Sequence, residues 1–204
     1  MVSIVLLLAG CGEDSGSESA ISAREFDTRL SNMHFDLNAR ELAEISTLIM
    51  GASRSDFEQL DGWYFGVDVL GDDVLQKHTL LGGREVVAEL SLNNNRVSRV
   101  AYFYDSAQLS DVTNHVAFGS LTGGDKQISA FTANGEMVEL GDDVSAASEL
   151  LVASILNRER VHLIFSWDYT NSNGDTASIQ FSFASEQRQT GDNAFFEVVT
   201  FWRR

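Results

Sequence analysis

The chain has 204 residues, 30 acidic against 14 basic, and a formal charge of -16 at pH 7. Such a surface repels nucleic acid and anionic lipid headgroups, which excludes both as electrostatic partners, and the same charge keeps the body soluble. Lysine occurs only at Lys77 and Lys126, proline nowhere, and cysteine once, at Cys11, so with that thiol engaged no disulfide is available and stability has to come from packing.

The chain opens on an apolar run, Val2 to Ala9 broken only by Ser3, that ends in Leu8-Ala9-Gly10-Cys11. A spanning helix needs about 20 apolar residues, whereas the centre of a secretory signal needs only about 7–15. Residues 12–19 carry no apolar side chain and read as a flexible tether. Leu8-Ala9-Gly10-Cys11 resembles the lipobox of bacterial lipoproteins. The resemblance implies a signal over residues 1–10, cleaved between Gly10 and Cys11, with Cys11 lipidated and acylated as the first residue of the mature chain. Small side chains at Ala9 and Gly10 give the peptidase access, and the lipid transfer calls for a thiolate nucleophile. Residues 11–20 are then the tether, and residues 21–204 a single domain of ordinary size. The family's signals begin with Lys or Arg and Met1–Cys11 holds neither, so the natural start is expected upstream. Several acyl chains hold a protein firmly where one does so reversibly. In two-membrane bacteria the family retains a protein at the inner membrane through an Asp after the cysteine. Here that position is Gly12, which implies the outer membrane.

In chain order, Ile21, Phe26 and Leu30 predict a short helix over residues 21–31. A second is clearer: Asn38 as N-cap with Glu41 three residues on, Leu37 stapled to Leu42, a stripe of Leu42, Ile45, Leu48 and Ile49, and Gly51 as a left-handed cap. Residues 55–60 predict another turn with Phe57 and Leu60 inward. The period then changes to two. Trp63, Phe65, Val67 and Val69 alternate as a strand, Gly71-Asp72-Asp73 turns the chain into 74–81, and Gly82-Gly83 suits a two-residue hairpin. Strands over 85–92 and 97–104, joined at Asn93-Asn94-Asn95, complete a four-strand antiparallel meander.

A weaker strand is expected at 116–121, then 127–132 and 136–140 around the hairpin signal Asn134-Gly135. Asp142 or Asp143 caps a helix whose stripe is Val144, Ala147, Leu150, Leu151 and Ile155. Strands follow through Val161, Leu163, Phe165 and Trp167, then Ile179, Phe181 and Phe183, and finally 195–202, a run too apolar for an exposed edge. Ten strands result, and the fold class is α+β: a large curved antiparallel sheet, sandwich or half-barrel, with amino-terminal helices and one helix before the last three strands.

The chemistry is sparse. His34, His78, His115 and His162 lack the spacing that places two metal ligands on one helical face, and no metal or cofactor is expected. Nucleophile elbow, phosphate loop and dinucleotide motif are all missing, so no catalytic residue is assigned. Setting Gly174 sixth in a calcium loop puts Tyr169 first and Gln180 last, where acids are required, so residues 170–175 read as a polar hairpin turn. Asp72-Asp73 and Asp142-Asp143 read as turn and cap residues. Trp63, Tyr64, Phe65, Tyr102, Phe103, Tyr104, Phe195, Phe196 and Trp202 read as packed core, with a ligand cavity as the alternative.

The expectation is thus an envelope protein anchored to a membrane through Cys11, whose body is a structural or protein-interaction module with an envelope protein as partner. The alternative is a carrier of a lipid or other hydrophobic ligand. The order of helix, strands, helix and strands is similar to the outer-membrane lipoprotein receptor of the lipoprotein-localisation pathway, mostly through Ile128 to Leu151, although that family's Asn-Pro-Leu-Gly segment is missing. An envelope hydrolase is the third reading.

Overall fold

The structure is a computed structural model and describes residues 19–33, 39–81, 83–104, 126–132, 135–187 and 193–203. Gly10 and Cys11, Leu37 and Asn38, the strand expected at 116–121, and Asn134 all lie outside the described residues. Helices α1 (Ala23–Ser31), α2 (Ala39–Leu48) and α3 (Arg54–Phe57) come first. Strands β1 (Tyr64–Val67), β2 (Asp73–Leu81), β3 (Arg84–Asn93) and β4 (Arg96–Tyr104) follow, then β5 (Gln127–Phe131) and β6 (Met137–Gly141). Helix α4 (Val144–Asn157) precedes β7 (Val161–Thr170), β8 (Thr176–Gln187) and β9 (Asn193–Arg203).

The nine described strands form one curved antiparallel sheet in the order β1-β2-β3-β4-β9-β8-β7-β5-β6. The α+β class and the placing of the helices are as expected. A single continuous sheet replaces the sandwich that the strand pattern also allowed. The final strand is central, lying between β4 and β8. That position agrees with a run too apolar for an exposed edge, since both edges of β9 are paired.

Turn chemistry sets the register. Asn94 (φ 51°) and Asn95 (φ 60°) connect the paired residues Asn93 and Arg96, a two-residue loop with both φ values positive that matches strand twist. The turn after β7 is organised by Asn171, whose Oδ1 accepts from the backbone N–H of Asn173 (3.0 Å) and Asp175 (2.9 Å). This is the polar hairpin turn read from the sequence, with the Asn171 side chain bonding its own backbone.

Pairing then lines apolar residues across the strands. Leu75 faces Leu90, Leu90 faces Val100, Val100 faces Phe201, Phe201 faces Ile179 and Ile179 faces Trp167, and all six are buried. A neighbouring row on the same face carries Ala88, Tyr102, Phe181 and Phe165. Trp167 stacks on Phe181 with centroids 4.9 Å apart, and Phe165 meets Phe183 edge-on at 5.6 Å. The other face is polar at its middle, with Gln76, Glu89, Thr200, Gln180 and Ser166.

Helices cover the apolar face. α2 turns Leu42, Ile45 and Leu48 into it, with Ile49 just past its end, and packs on β8 and β9. Phe26 from α1, Phe57 from α3 and Trp63 close an aromatic triad with centroid distances of 5.0–6.3 Å. α4, capped by Asp143 accepting from the Ala146 N–H at 3.1 Å, lays Ala147 and Leu151 on β5, β7 and β8.

Two details differ from the sequence reading. Gly51 is left-handed (φ 89°), but its N–H donates to the Val97 carbonyl at 2.8 Å instead of closing α2, so it fastens the helix to the sheet. The alternation from Trp63 to Val69 produces a strand only as far as Val67, and Phe65, Val67 and Val69 are exposed. β1 lies at one end of the described sheet, and the helix layer buries Trp63 and stops there.

Phe57 is fully buried at the centre of the triad. Phe57→Ala is expected to cost about 3–5 kcal/mol, with an unchanged urea m-value and a lowered midpoint in equilibrium unfolding.

Candidate functional site

The helix layer is held to the sheet by polar contacts set into the apolar packing. On α2, Glu44 accepts from the Tyr169 hydroxyl of β7 and from the Ser172 backbone N–H at 3.0 Å. Two residues on, the Ser46 hydroxyl is hydrogen-bonded at 2.8 Å to that of Tyr102, and both side chains are buried. On α1, Asp27 accepts from Trp63 Nε1 at 2.8 Å and from the Lys77 ammonium of β2. Buried polar groups need such partners, because an unpaired one costs about 1–3 kcal/mol. These clasps therefore fix the helix layer in one position over the sheet, where apolar contact alone would tolerate sliding.

The electrostatics follow from the same contacts. Burial pushes the Glu44 carboxyl upward, but the hydrogen bonds from Ser172 and Tyr169, with the charge of Arg29, outweigh it and leave the group below its ordinary value. Tyr169 is raised by burial and by the Glu44 carboxylate it donates to. Burial likewise raises Tyr102, against a smaller opposite effect of Ser46. Both phenols stay protonated at any physiological pH and act as fixed donors or acceptors.

None of these clasps was singled out from sequence. Glu44 and Tyr169 are 125 residues apart, and Ser46 and Tyr102 are 56 apart. One trace was present: Ser46 follows Ile45 on the buried side of an amphipathic helix, where a polar residue calls for a partner.

The aromatic residues considered for a cavity do not share one surface. Trp63, Tyr102 and Tyr104 are buried beneath the helices. Phe103 and Trp202 are half-buried on the opposite, polar face, and Tyr64 and Phe65 are exposed at the sheet edge. The side chains of Phe195 and Phe196 lie outside the description. His78 is exposed on β2; His162 is half-buried beside the Phe131 ring, and burial lowers its pKa. His34 and His115 are outside the described residues. Among the described residues, no three His, Cys, Asp or Glu side chains gather closely enough to hold a metal ion.

Exposed apolar side chains gather instead at the β1 edge. Tyr64, Phe65 and Val67, with Val69 and Leu70 in the following turn, are 45–101% exposed. The turn is built by Asp68, whose Oδ1 accepts from the backbone N–H of Leu70 (2.8 Å) and Asp72 (2.9 Å). The Asp72 N–H contributes most to holding this carboxyl below its usual range. Arg54, itself paired with Glu58, lies 3.5 Å over the Phe65 ring. On the opposite face, at the end of β2 and β3, a cleft of about 500 Å³ is lined by His78, Leu80, Val87 and Phe103. No protein family, curated protein or solved structure matches this chain.

The lowered Glu44 pKa carries a pH signature. A depressed carboxyl stabilises the fold above its ordinary value of 4.5, and that contribution is lost as pH falls through the lowered value. Glu44→Gln is expected to cost about 1 kcal/mol near neutrality, a figure kept low by the partial exposure of the group. The stability gap between the two proteins should close as pH falls below 4.5, as measured by urea unfolding across pH.

Proposed function

We propose that this chain is a lipid-anchored protein of the cell envelope, held at the outer membrane through Cys11, whose body is a protein-interaction module. The anchor reading rests on Leu8-Ala9-Gly10-Cys11 followed at once by residues 12–19, a segment without a single apolar side chain. An apolar signal, a thiol and a polar leash in that order make physical sense as export, attachment and spacing.

For the body, the carrying observation is that the apolar face of the sheet is engaged by the helices. Phe165, Phe181 and Phe201 are at most 1% exposed, and α2 is clasped to that face at Glu44 and Ser46. A carrier of acyl chains would have to break those contacts to open the same surface, which favours the module over the carrier. An apolar surface that remains open to a partner is the β1 edge.

Two measurements test the reading. Mass spectrometry of protein extracted from membranes should find a mature chain that begins at an acylated Cys11, and Cys11→Ser should leave an unprocessed precursor. An unmodified thiol on an uncleaved chain overturns the anchor. Photo-crosslinking in cells should trap a discrete protein adduct of the body, and adducts with bulk lipid alone would overturn the module.

A further inference from the structure

We infer that the β1 edge takes an extended, cationic segment of a partner polypeptide as an added strand. This deepens the interaction-module reading and rests on it.

The edge has the right backbone. Among the described strands, β1 pairs with β2 alone. Pairing continues past the strand with the Asp68 N–H donating to the Asp72 carbonyl at 2.9 Å. In an antiparallel ladder hydrogen-bonded and non-hydrogen-bonded pairs alternate. Counting back from Asp68, the main-chain groups of Gly66 and Tyr64 point to β2, and those of Val67 and Phe65 point outward. Two donors and two acceptors are therefore set at strand spacing along an open edge, the arrangement to which an incoming strand adds.

The side chains supply apolar area and choose the partner's charge. Natural sheets blunt an exposed edge with lysine or proline, and this one has neither at residues 61–73. Tyr64 is 66% exposed and Val67 60%, and beyond the strand Val69 and Leu70 stand almost wholly in solvent. Around them stand the exposed carboxylates of Asp61, Asp72 and Asp73, and no described basic side chain makes an ion pair with any of the three. Of the nearby bases, Arg54 pairs with Glu58, Lys77 pairs with Asp27 on the covered face, and the charge of Arg99 acts on Asp68 of the turn, which leaves Asp61, Asp72 and Asp73 without an ion pair among the described residues.

This unbalanced charge decides among occupants. A second copy brings the same aspartates and a net charge of -16, so self-pairing of the edges is opposed. An anionic bilayer surface is repelled by the same carboxylates, which flank the very turn that would have to insert. A strand with alternating basic and apolar residues satisfies all three features. Its backbone pairs with Phe65 and Val67, its apolar side chains cover theirs, and its cations meet the aspartates and the Tyr64 ring.

The test uses the full chain in mild detergent with two labelled, end-blocked probe peptides, one alternating Lys and Val and the other alternating Glu and Val. Fluorescence anisotropy should show binding of the basic peptide, weakened by salt, and none of the acidic one. Val67→Pro deletes an outward donor without touching the β2 ladder, and proline is tolerated on such an edge. It should weaken the basic peptide about fivefold with little change in Tm, the loss of about one hydrogen bond. Should that variant unfold, the pair Asp72→Lys and Asp73→Lys decides alone: it should abolish binding of the basic peptide and admit the acidic one. Equal binding of both peptides, or binding unmoved by these substitutions, overturns the proposal. So does concentration-dependent dimerisation lost in Val67→Pro without peptide binding, or association with phosphatidylcholine vesicles that requires Val69 and Leu70. A crosslinked protein adduct that survives Val67→Pro would remove the edge from the account and leave the interaction module standing.

Discussion

Removing the aromatic face of the sheet from water is the event on which the rest of this structure depends. The row from Leu75 through Phe201 to Trp167 crosses six strands, and each side chain in it is at most 3% exposed. At about 25 cal/mol per Å² of apolar area buried, this burial is the main favourable term available to a chain that carries one cysteine and no proline. The helices that cover the face have no independent existence. α1 has 9 residues and α2 has 10, below the length at which an isolated helix persists in water. Sheet and helices are therefore stable only together. The strand that completes the sheet, β9, is the last to be made and sits at its centre. Its pairing with β4 joins the amino-terminal meander to the carboxy-terminal strands, and long-range closure of that kind is entropically slow.

The polar clasps do a different job from the packing. Net hydrogen bonds contribute about 1 kcal/mol each, small beside the apolar term. Their geometry is narrow, however, and a helix shifted by one residue along the face would leave Ser46 and Tyr102 buried without partners and pull Glu44 away from Tyr169 and Ser172. The clasps convert a greasy contact into one position. They also engage one of the two lysines of the chain, since Lys77 is held inward by Asp27.

That inward lysine sharpens the surface. With few bases outside, the acidic excess is largely uncompensated where the chain meets solvent, and it separates copies of the protein from one another. An exposed apolar edge on a neutral protein is an aggregation hazard. On this one, the same edge is guarded against its own kind and against anionic lipid, and the aspartates of the β1–β2 turn give it a preference of sign. Solubility and selectivity arise here from one property.

Local signals were legible from the residues alone. Period-two and period-3.6 patterning located α1 to α3, α4 and the nine described strands, because side-chain direction is a local property of the backbone. Positive-φ turns at Asn94-Asn95, the Asp143 cap and the self-bonded Asn171 turn were readable for the same reason, and so is the Leu8-to-Cys11 run with its leash. What only the tertiary structure decided is everything that depends on which strands become neighbours. One sheet instead of two, β9 at the centre, Gly51 donating to Val97 and the pairing of Glu44 with Tyr169 all join residues tens to more than a hundred positions apart. The exposure of Phe65 and Val67 belongs to the same class. Their alternation is that of a half-buried strand, and only the end of the helix layer beyond Trp63 turns them toward solvent. A one-dimensional pattern records which face a residue is on, and it takes the third dimension to say whether anything covers that face.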